Sequence, residues 1–388
     1  MKRKIAVIST TRADYGHLFP LLKEIAGDQE LILQLVVGGM HLLESYGLTV
    51  QQIEADGFTI SGRVPLPLHD DTPLGIARSI AAATVGFAET LEKLSPDIVL
   101  ILGDRFEILA AAQACLVLNL PVAHIHGGES TEGAMDEAVR HSVTKMAHLH
   151  FVAAQAYRRR VIQLGESPER VFNFGAPGLD YVLKAKLLSE EALAADLNFT
   201  FRRPTFLVTY HPATLSEHSG VGALLESLDE YPDAGVIITK PNSDTHRNQI
   251  VSALENYAAK NSGRVMLTAA LGQLRYLSAL NLADVVIGNS SSGIIEAPLL
   301  KKASINLGGR QKGRLRASSI IDCGETREEI TAAIATALSV KFQSQLGGTK
   351  SEYGAGNASR SIKETLKRTP LAGVIQKQFF SMRDWKLN

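Results

Sequence analysis

Short apolar runs alternate with amphipathic stretches along almost the whole chain. In the first half the runs are KIAVIST (4–10), LILQLVVGG (31–39), PDIVLILGD (96–104), PVAHIHGG (121–128), LHFVAA (149–154) and VFNFGAP (171–177). Between them lie helical patterns such as HLFPLLKEIAGD, LGIARSIAAATVGFAETLEKL and EILAAAQACLVLNL. The second half repeats the rhythm with PTFLVTYHP (204–212), AGVIITKPN (234–242), GRVMLTAA (263–270), ADVVIGNSSSG (283–293) and ASINLGGR (303–310). Near-continuous Val/Ile/Leu runs joined by helices are what a parallel sheet covered on both faces requires. The pattern predicts two doubly wound α/β domains, residues 1–180 and 200–365, with a cleft between them. A polar stretch ending in Pro204 reads as the linker, and residues 366–388 read as a helical tail packing back on the first domain.

In such sheets ligands sit outside the carboxyl ends of the strands. The polar motifs fall there: STTRADYG, GDRFE and HIHGGE in the first half, and HPATL, KPNSD, GNSSSG and GGRQKGR in the second. GNSSSGIIEAP joins a strand, a small-residue turn and a helix, so free backbone N–H groups and the helix dipole can hold an anion. Ser290, Ser291 and Ser292 add hydroxyls beyond what an N-cap needs, and Glu296 is placed to accept from ribose. GGRQKGRLR carries Arg310, Lys312, Arg314 and Arg316, cations suited to a diphosphate. Arg12 and Asp14 follow the first run. His211 ends a run before Pro212.

Asp104, beside Arg105, reads either as a helix N-cap or as a held general base. His124 and His126 are two apart, which on a strand puts both on one face. With Glu129 nearby a metal is conceivable, but neither H-E-x-x-H nor the P-C-x-x-C of zinc deaminases occurs. Acid/base use of His126, Glu129 and Asp136, without a metal, is the better reading. Asp136 and Arg140 lie one helical turn apart.

Composition narrows the partners. Forty Lys and Arg balance forty Asp and Glu, so no basic field favours nucleic acid or an anionic membrane. Two cysteines, Cys115 and Cys323, exclude a disulfide framework or a cysteine-rich zinc site. The basic-then-apolar start is too short in its apolar part for a signal peptide. A cytoplasmic protein with reduced thiols is expected. Dinucleotide and P-loop fingerprints do not occur.

Taken as an ordered set, TRADYGHL, GMHL…YGLT, LGDRFE, HIHGGE, DEAVRHSVTKMAHLH, HPATL, GNSSSGIIEAP and NLGGRQKGRLR resemble the hydrolysing UDP-N-acetylglucosamine 2-epimerases, from residue 4 to about residue 365. The resemblance implies a GT-B fold of two Rossmann-like domains. It implies a two-step reaction with no cofactor: C2 deprotonation with loss of UDP to a glycal, then hydration to free N-acetylmannosamine for sialic acid synthesis. It also implies a homo-oligomer, dimer or tetramer. Its acid/base groups fall on Asp104 and Asp136, and its UDP contacts on Arg12, Arg105, His211, Asn242, Ser290, Ser291, Glu296 and Arg314. Many relatives carry a glutamate where His126 stands. A histidine can relay protons near neutral pH but supplies no permanent charge, so Glu129 or Glu132 would share the work. The loop GESTEGAMD is one residue longer than theirs. The bacterial branch includes enzymes for UDP-N,N'-diacetylbacillosamine, which is the nearest alternative substrate. A non-hydrolysing epimerase, a GT-B glycosyltransferase and a nucleotide-sugar sensor are the further alternatives.

Overall fold

A computed structural model describes residues 2–132, 134–212, 219–242, 247–354 and 356–381. The first domain holds seven strands: β1 (Arg3–Ser9), β2 (Leu31–Gly38), β3 (Ile60–Val64), β4 (Ile98–Leu102), β5 (Val122–Ile125), β6 (Leu149–Val152) and β7 (Val171–Asn173). The second holds six: β8 (Thr205–Thr209), β9 (Gly235–Thr239), β10 (Val265–Thr268), β11 (Val285–Gly288), β12 (Ala303–Leu307) and β13 (Ile320–Cys323). The sheet orders are β3-β2-β1-β4-β5-β6-β7 and β10-β9-β8-β11-β12-β13. Every pairing is parallel.

Central strands such as β4, IVLIL, are buried at every position, which is why their sequences carry no alternation. Helices cover both faces. Leu18, Leu22 and Ile25 of the helix Arg12–Ala26 pack on one face of the first sheet, and Phe87 and Leu91 of Pro73–Leu94 on the other. The latter helix is long and apolar enough by composition to cross a membrane, and a third of that apolar stretch is buried in this packing. Strand order reverses between β1 and β4, and again between β8 and β11. Crevices therefore open at the carboxyl ends of those pairs, facing each other across the domains.

Two expectations fail at the C-terminus. The helix Ala358–Arg368 sets Ile362 and Leu366 into the first domain's core beside Leu18 and Leu22, so it packs with that domain and not with residues 200–357. The tail beyond it is not helical: residues 369–381 run as turns and extended chain. Pro370 follows immediately and cannot continue a helix. This strap lies on the first domain through Arg170 Nη1 to the Val374 carbonyl (2.9 Å) and the Phe380 amide to the Gly165 carbonyl (2.9 Å). Residues 382–388 lie outside the described part. The linker contains a helix of its own, Glu190–Leu197, whose Leu193 packs in the second domain's cluster.

Candidate active site

A cleft of about 920 Å³ lies between the two sets of strand ends. The four acid/base candidates and the eight binding candidates all line it. Its first-domain wall is acidic. Asp104, just beyond β4, is ion-paired to Arg140 Nη2, and Arg314 Nη2 of the second domain lies 3.9 Å away. Burial alone would push the Asp104 carboxyl up, but the two guanidiniums outweigh it and hold it below the ordinary value. Asp104 is not a cap: the following helix, Phe106–Val117, has Arg105 at its N-cap position and no side-chain cap bond. Arg105 is turned onto Glu107 (3.1 Å).

Arg140 has no solvent exposure and organises this wall. It also donates to Thr131 Oγ1 (2.6 Å), the Glu129 carbonyl (3.1 Å) and Glu137 (3.1 Å). Glu129, 1% exposed, is clamped between His126 Nδ1 and Arg314 Nη1, both at 2.5 Å. Its carboxyl, pushed up by burial, is pulled down to about 2 by Arg314 and His126. Glu132 does not share this site. It is half-exposed and pairs with Lys312 at 3.1 Å.

The strand expected to present both histidines on one face ends at Ile125, and His126 adopts φ +67°. A left-handed backbone at a non-glycine residue is strained, and it swings the two rings apart. His124 is wholly buried, its Nε2 on the Gly103 carbonyl (2.7 Å), and burial pushes its pKa down to about 3. It is structural. His126 enters the cleft, with Nδ1 on Glu129 and a buried Nε2 that has no partner. The Glu129 contact calls for the proton on Nδ1, which in the neutral ring leaves the Nε2 lone pair unused among the described residues. His17 stands beside it, ring centroids 5.8 Å apart, with Nδ1 3.5 Å from Glu296.

The second-domain wall is built for an anion. Asn289, at the end of β11, accepts from the His211 amide (2.7 Å) and donates to its carbonyl (2.8 Å). His211 Nδ1 in turn accepts from the Asn242 amide (3.3 Å), so the ends of β8, β9 and β11 are tied together. Ser291 is the N-cap of the helix Ser292–Leu299 yet makes no side-chain cap bond. Ser290 Oγ takes the Ser292 amide at 3.4 Å and Ser292 Oγ is buried, so Ser291 is the serine of this turn whose hydroxyl is not used in capping. Arg12 crosses the domains to the Lys240 carbonyl (2.5 Å), and desolvation lowers its pKa to about 10. Asp14 is a structural partner in the same turn, accepting from the Thr10 and Thr11 amides within a capping box. Among the described residues no group of three or more His, Cys, Asp or Glu is arranged to hold a metal ion.

Known proteins share both the sequence and the layout. The family profile described as UDP-N-acetylglucosamine 2-epimerase matches residues 23–367. The chain belongs to that family. It is 39% identical to the Campylobacter jejuni protein named GDP/UDP-N,N'-diacetylbacillosamine 2-epimerase (hydrolyzing), over 98% of this chain and 100% of the relative. It is 36% identical to the Legionella pneumophila UDP-N,N'-diacetylbacillosamine 2-epimerase (hydrolyzing), over 97% and 98%. Among solved structures, UDP-GlcNAc 2-epimerase from Neisseria meningitidis bound to UDP-GlcNAc superposes with a TM-score of 0.81 at 17% identity, covering 94% of this chain and 100% of that one. Such neighbours establish the two-domain GT-B arrangement. Relatives at 36–39% identity put this epimerase-family chain on the hydrolysing side.

Four residues in or behind the cleft wall have contacts that a reading of strand ends does not reveal. Arg140 sits mid-helix, one turn from Asp136, and its partner Asp104 lies in a different segment, just beyond β4. His17 lies inside the first helix. Asn289 was part of the GNSSSG motif but overshadowed by its serines. Arg310 was visible as a cation in the glycine-rich turn, though not its contact with Asp136 (3.4 Å). Of the two cysteines, Cys115 is buried and Cys323 only partly so; both are free.

Proposed function

We propose that the protein is a hydrolysing 2-epimerase of a UDP-activated 2-acetamido sugar. One arrangement carries the reading: a His126–Glu129 pair with an unused ring nitrogen in the cleft wall, together with arginine-held Asp104 and the serine turn lining the same cleft. The diphosphate would lie at Ser290, Ser291 and the N-terminus of the helix Ser292–Leu299, with Arg12, His211 and Arg314 around it. Arg105, Asn242 and Glu296 complete the nucleotide contacts.

The chemistry then follows from charge. A C2–H beside an amide is a very weak acid, so proton removal must coincide with loss of a stabilised leaving group. The base takes the C2 proton, those electrons form the C1=C2 bond, and the C1–O bond breaks to release UDP. Cations and N–H groups aimed at the diphosphate stabilise the charge that develops there. Water then adds its hydroxyl to C1 of the glycal, and C2 takes a proton on the face opposite to the one deprotonated. Inversion requires more than one proton-handling group. His126 oriented by Glu129, together with Asp104 and Asp136, supplies them. No metal or cofactor is called for, and a cytoplasmic location fits a nucleotide-sugar substrate.

UDP-N-acetylglucosamine is the simplest sugar that meets these demands. UDP-N,N'-diacetylbacillosamine is the second reading, favoured by the names of the relatives at 39% and 36% identity. Proton and phosphorus NMR in D2O tests both. Release of UDP in step with a free manno-configured sugar carrying deuterium at C2 is expected with one of them, and that one is the substrate. Inertness toward both would overturn the reading.

A further inference from the structure

We propose that Arg310 is a shared cation that leaves Asp136 for the diphosphate when the nucleotide binds, so that the substrate itself takes one counter-charge away from the carboxylate. The inference rests on the function proposed above and adds to it a residue and a mode of activation. Arg310 follows β12 on the second domain, whereas Asp136 opens the helix Asp136–Met146 of the first. Their contact, Nη2 to Oδ2 at 3.4 Å, is longer than the 2.7–2.9 Å of a well-made guanidinium–carboxylate bond. Both side chains are 11% exposed, so the pair is sheltered but loosely made.

The other end of the guanidinium is equally free to move. Nη1 donates to the Asn289 carbonyl at 3.2 Å. That carbonyl also accepts from Gln311 Nε2 at 2.8 Å, so departure of Arg310 does not strand it. Arg310 Nε is buried with no hydrogen-bond partner. A guanidinium with one unused donor, one long ion pair and one redundant bond is held less firmly than its neighbour Arg314, which is clamped at 2.5 Å to Glu129. Asn289 immediately precedes Ser290. A small rotation of the Arg310 side chain therefore carries its fork from Asp136 to a phosphate on the serine turn, where a doubly charged bidentate acceptor is a stronger partner than a single carboxylate. Arg314, clamped to Glu129, holds its place at the edge of the diphosphate site, and Arg310 moves.

A double-mutant cycle on UDP binding, read by titration calorimetry, decides the matter. The proteins are wild type, Asp136→Asn, Arg310→Gln and the pair combined. If Arg310 is exchanged, Asp136→Asn removes a competitor and tightens UDP about fivefold. Arg310→Gln weakens UDP about 10- to 100-fold, as loss of a charge-assisted bond should. In the Arg310→Gln background, Asp136→Asn then has a smaller effect than in wild type. If Arg310 instead stays on Asp136 and merely screens it, the order reverses, because Asp136 repels the nucleotide most when unscreened. An effect of Asp136→Asn that is equal or larger without Arg310 overturns the proposal. Arg310→Lys, which keeps the charge, is expected to bind UDP within a few-fold of wild type. Failure of wild type to bind UDP would overturn the proposed function as well. Binding with the wrong cycle sinks the exchange alone.

Discussion

Replacing Glu129 by Gln removes one charge from the centre of the acidic wall and leaves the shape intact. Glu129 is 1% exposed and its folded pKa lies at about 2 instead of 4.5, a depression worth about 3 kcal/mol at 1.36 kcal/mol per pH unit. An independent figure comes from the partner left behind. Without Glu129, Arg314 keeps, among the described residues, Asp104 at 3.9 Å as its remaining carboxylate, and stripping one member from a buried pair costs about 3–5 kcal/mol. The two agree within their precision. For a domain of this size the loss corresponds to a melting point lower by about 6–12 °C near pH 7. The pH dependence has a fixed sign. A carboxyl with a depressed folded pKa stabilises the protein in full above its unfolded value and loses that contribution as pH falls through the folded one. The gap between wild type and Glu129→Gln should be constant above about pH 5 and shrink between about pH 4.5 and 2. Scanning fluorimetry across a pH series reads both. A drop under about 2 °C at pH 7, or a gap that widens on acidification, would refute the reasoning.

Three further substitutions probe other parts of the site. Asp104→Asn keeps an acceptor for Arg140, so turnover should fall more than about a hundredfold while UDP affinity stays within about threefold. A collapse of UDP binding would make Asp104 structural. Gly313 has φ +89°, and a Cβ there would lie 2.5 Å from Ser130 Oγ of the facing domain. Gly313→Ala should push the loop and Arg314 back and weaken UDP about tenfold; an unchanged calorimetric affinity contradicts this. Lys377 Nζ ties the strap to the Lys145 carbonyl (2.6 Å), the Ala147 carbonyl (2.7 Å) and buried Glu166 (3.0 Å). Lys377→Met should cost about 1–3 kcal/mol in urea denaturation, and a change below about 0.5 kcal/mol rules out a holding role.

The fold was legible where burial is uniform. Strands such as β4 and β8, covered on both faces, write themselves as unbroken apolar runs. The strands that escape notice, β3 (ISGRV) and β13 (IIDC), are both sheet edges with half-exposed positions, so the apolar signal thins where one neighbour is missing. The cleft was legible because polar groups cluster at strand ends, a consequence of topology. What escapes is coupling between distant segments. Nothing local in DEAVRHS announces that Arg140 serves Asp104, which lies 36 positions earlier. The φ of His126 is equally silent: two histidines at alternate positions promise one face, and a single left-handed residue separates them.

The insertion of Arg314 between Asp104 and Glu129 bears on how the chain is made. Synthesis delivers the first domain's acids long before the loop that neutralises them, and before the helix Ala358–Arg368 that completes the same domain's core and takes Arg3 through the Leu366 and Thr369 carbonyls. A first domain without those segments therefore leaves Glu129 short of its arginine and one hydrophobic face unfinished, although Arg140 of the same domain already answers Asp104. The core and the acidic wall of the first domain are thus completed by segments that lie far downstream of it in the chain.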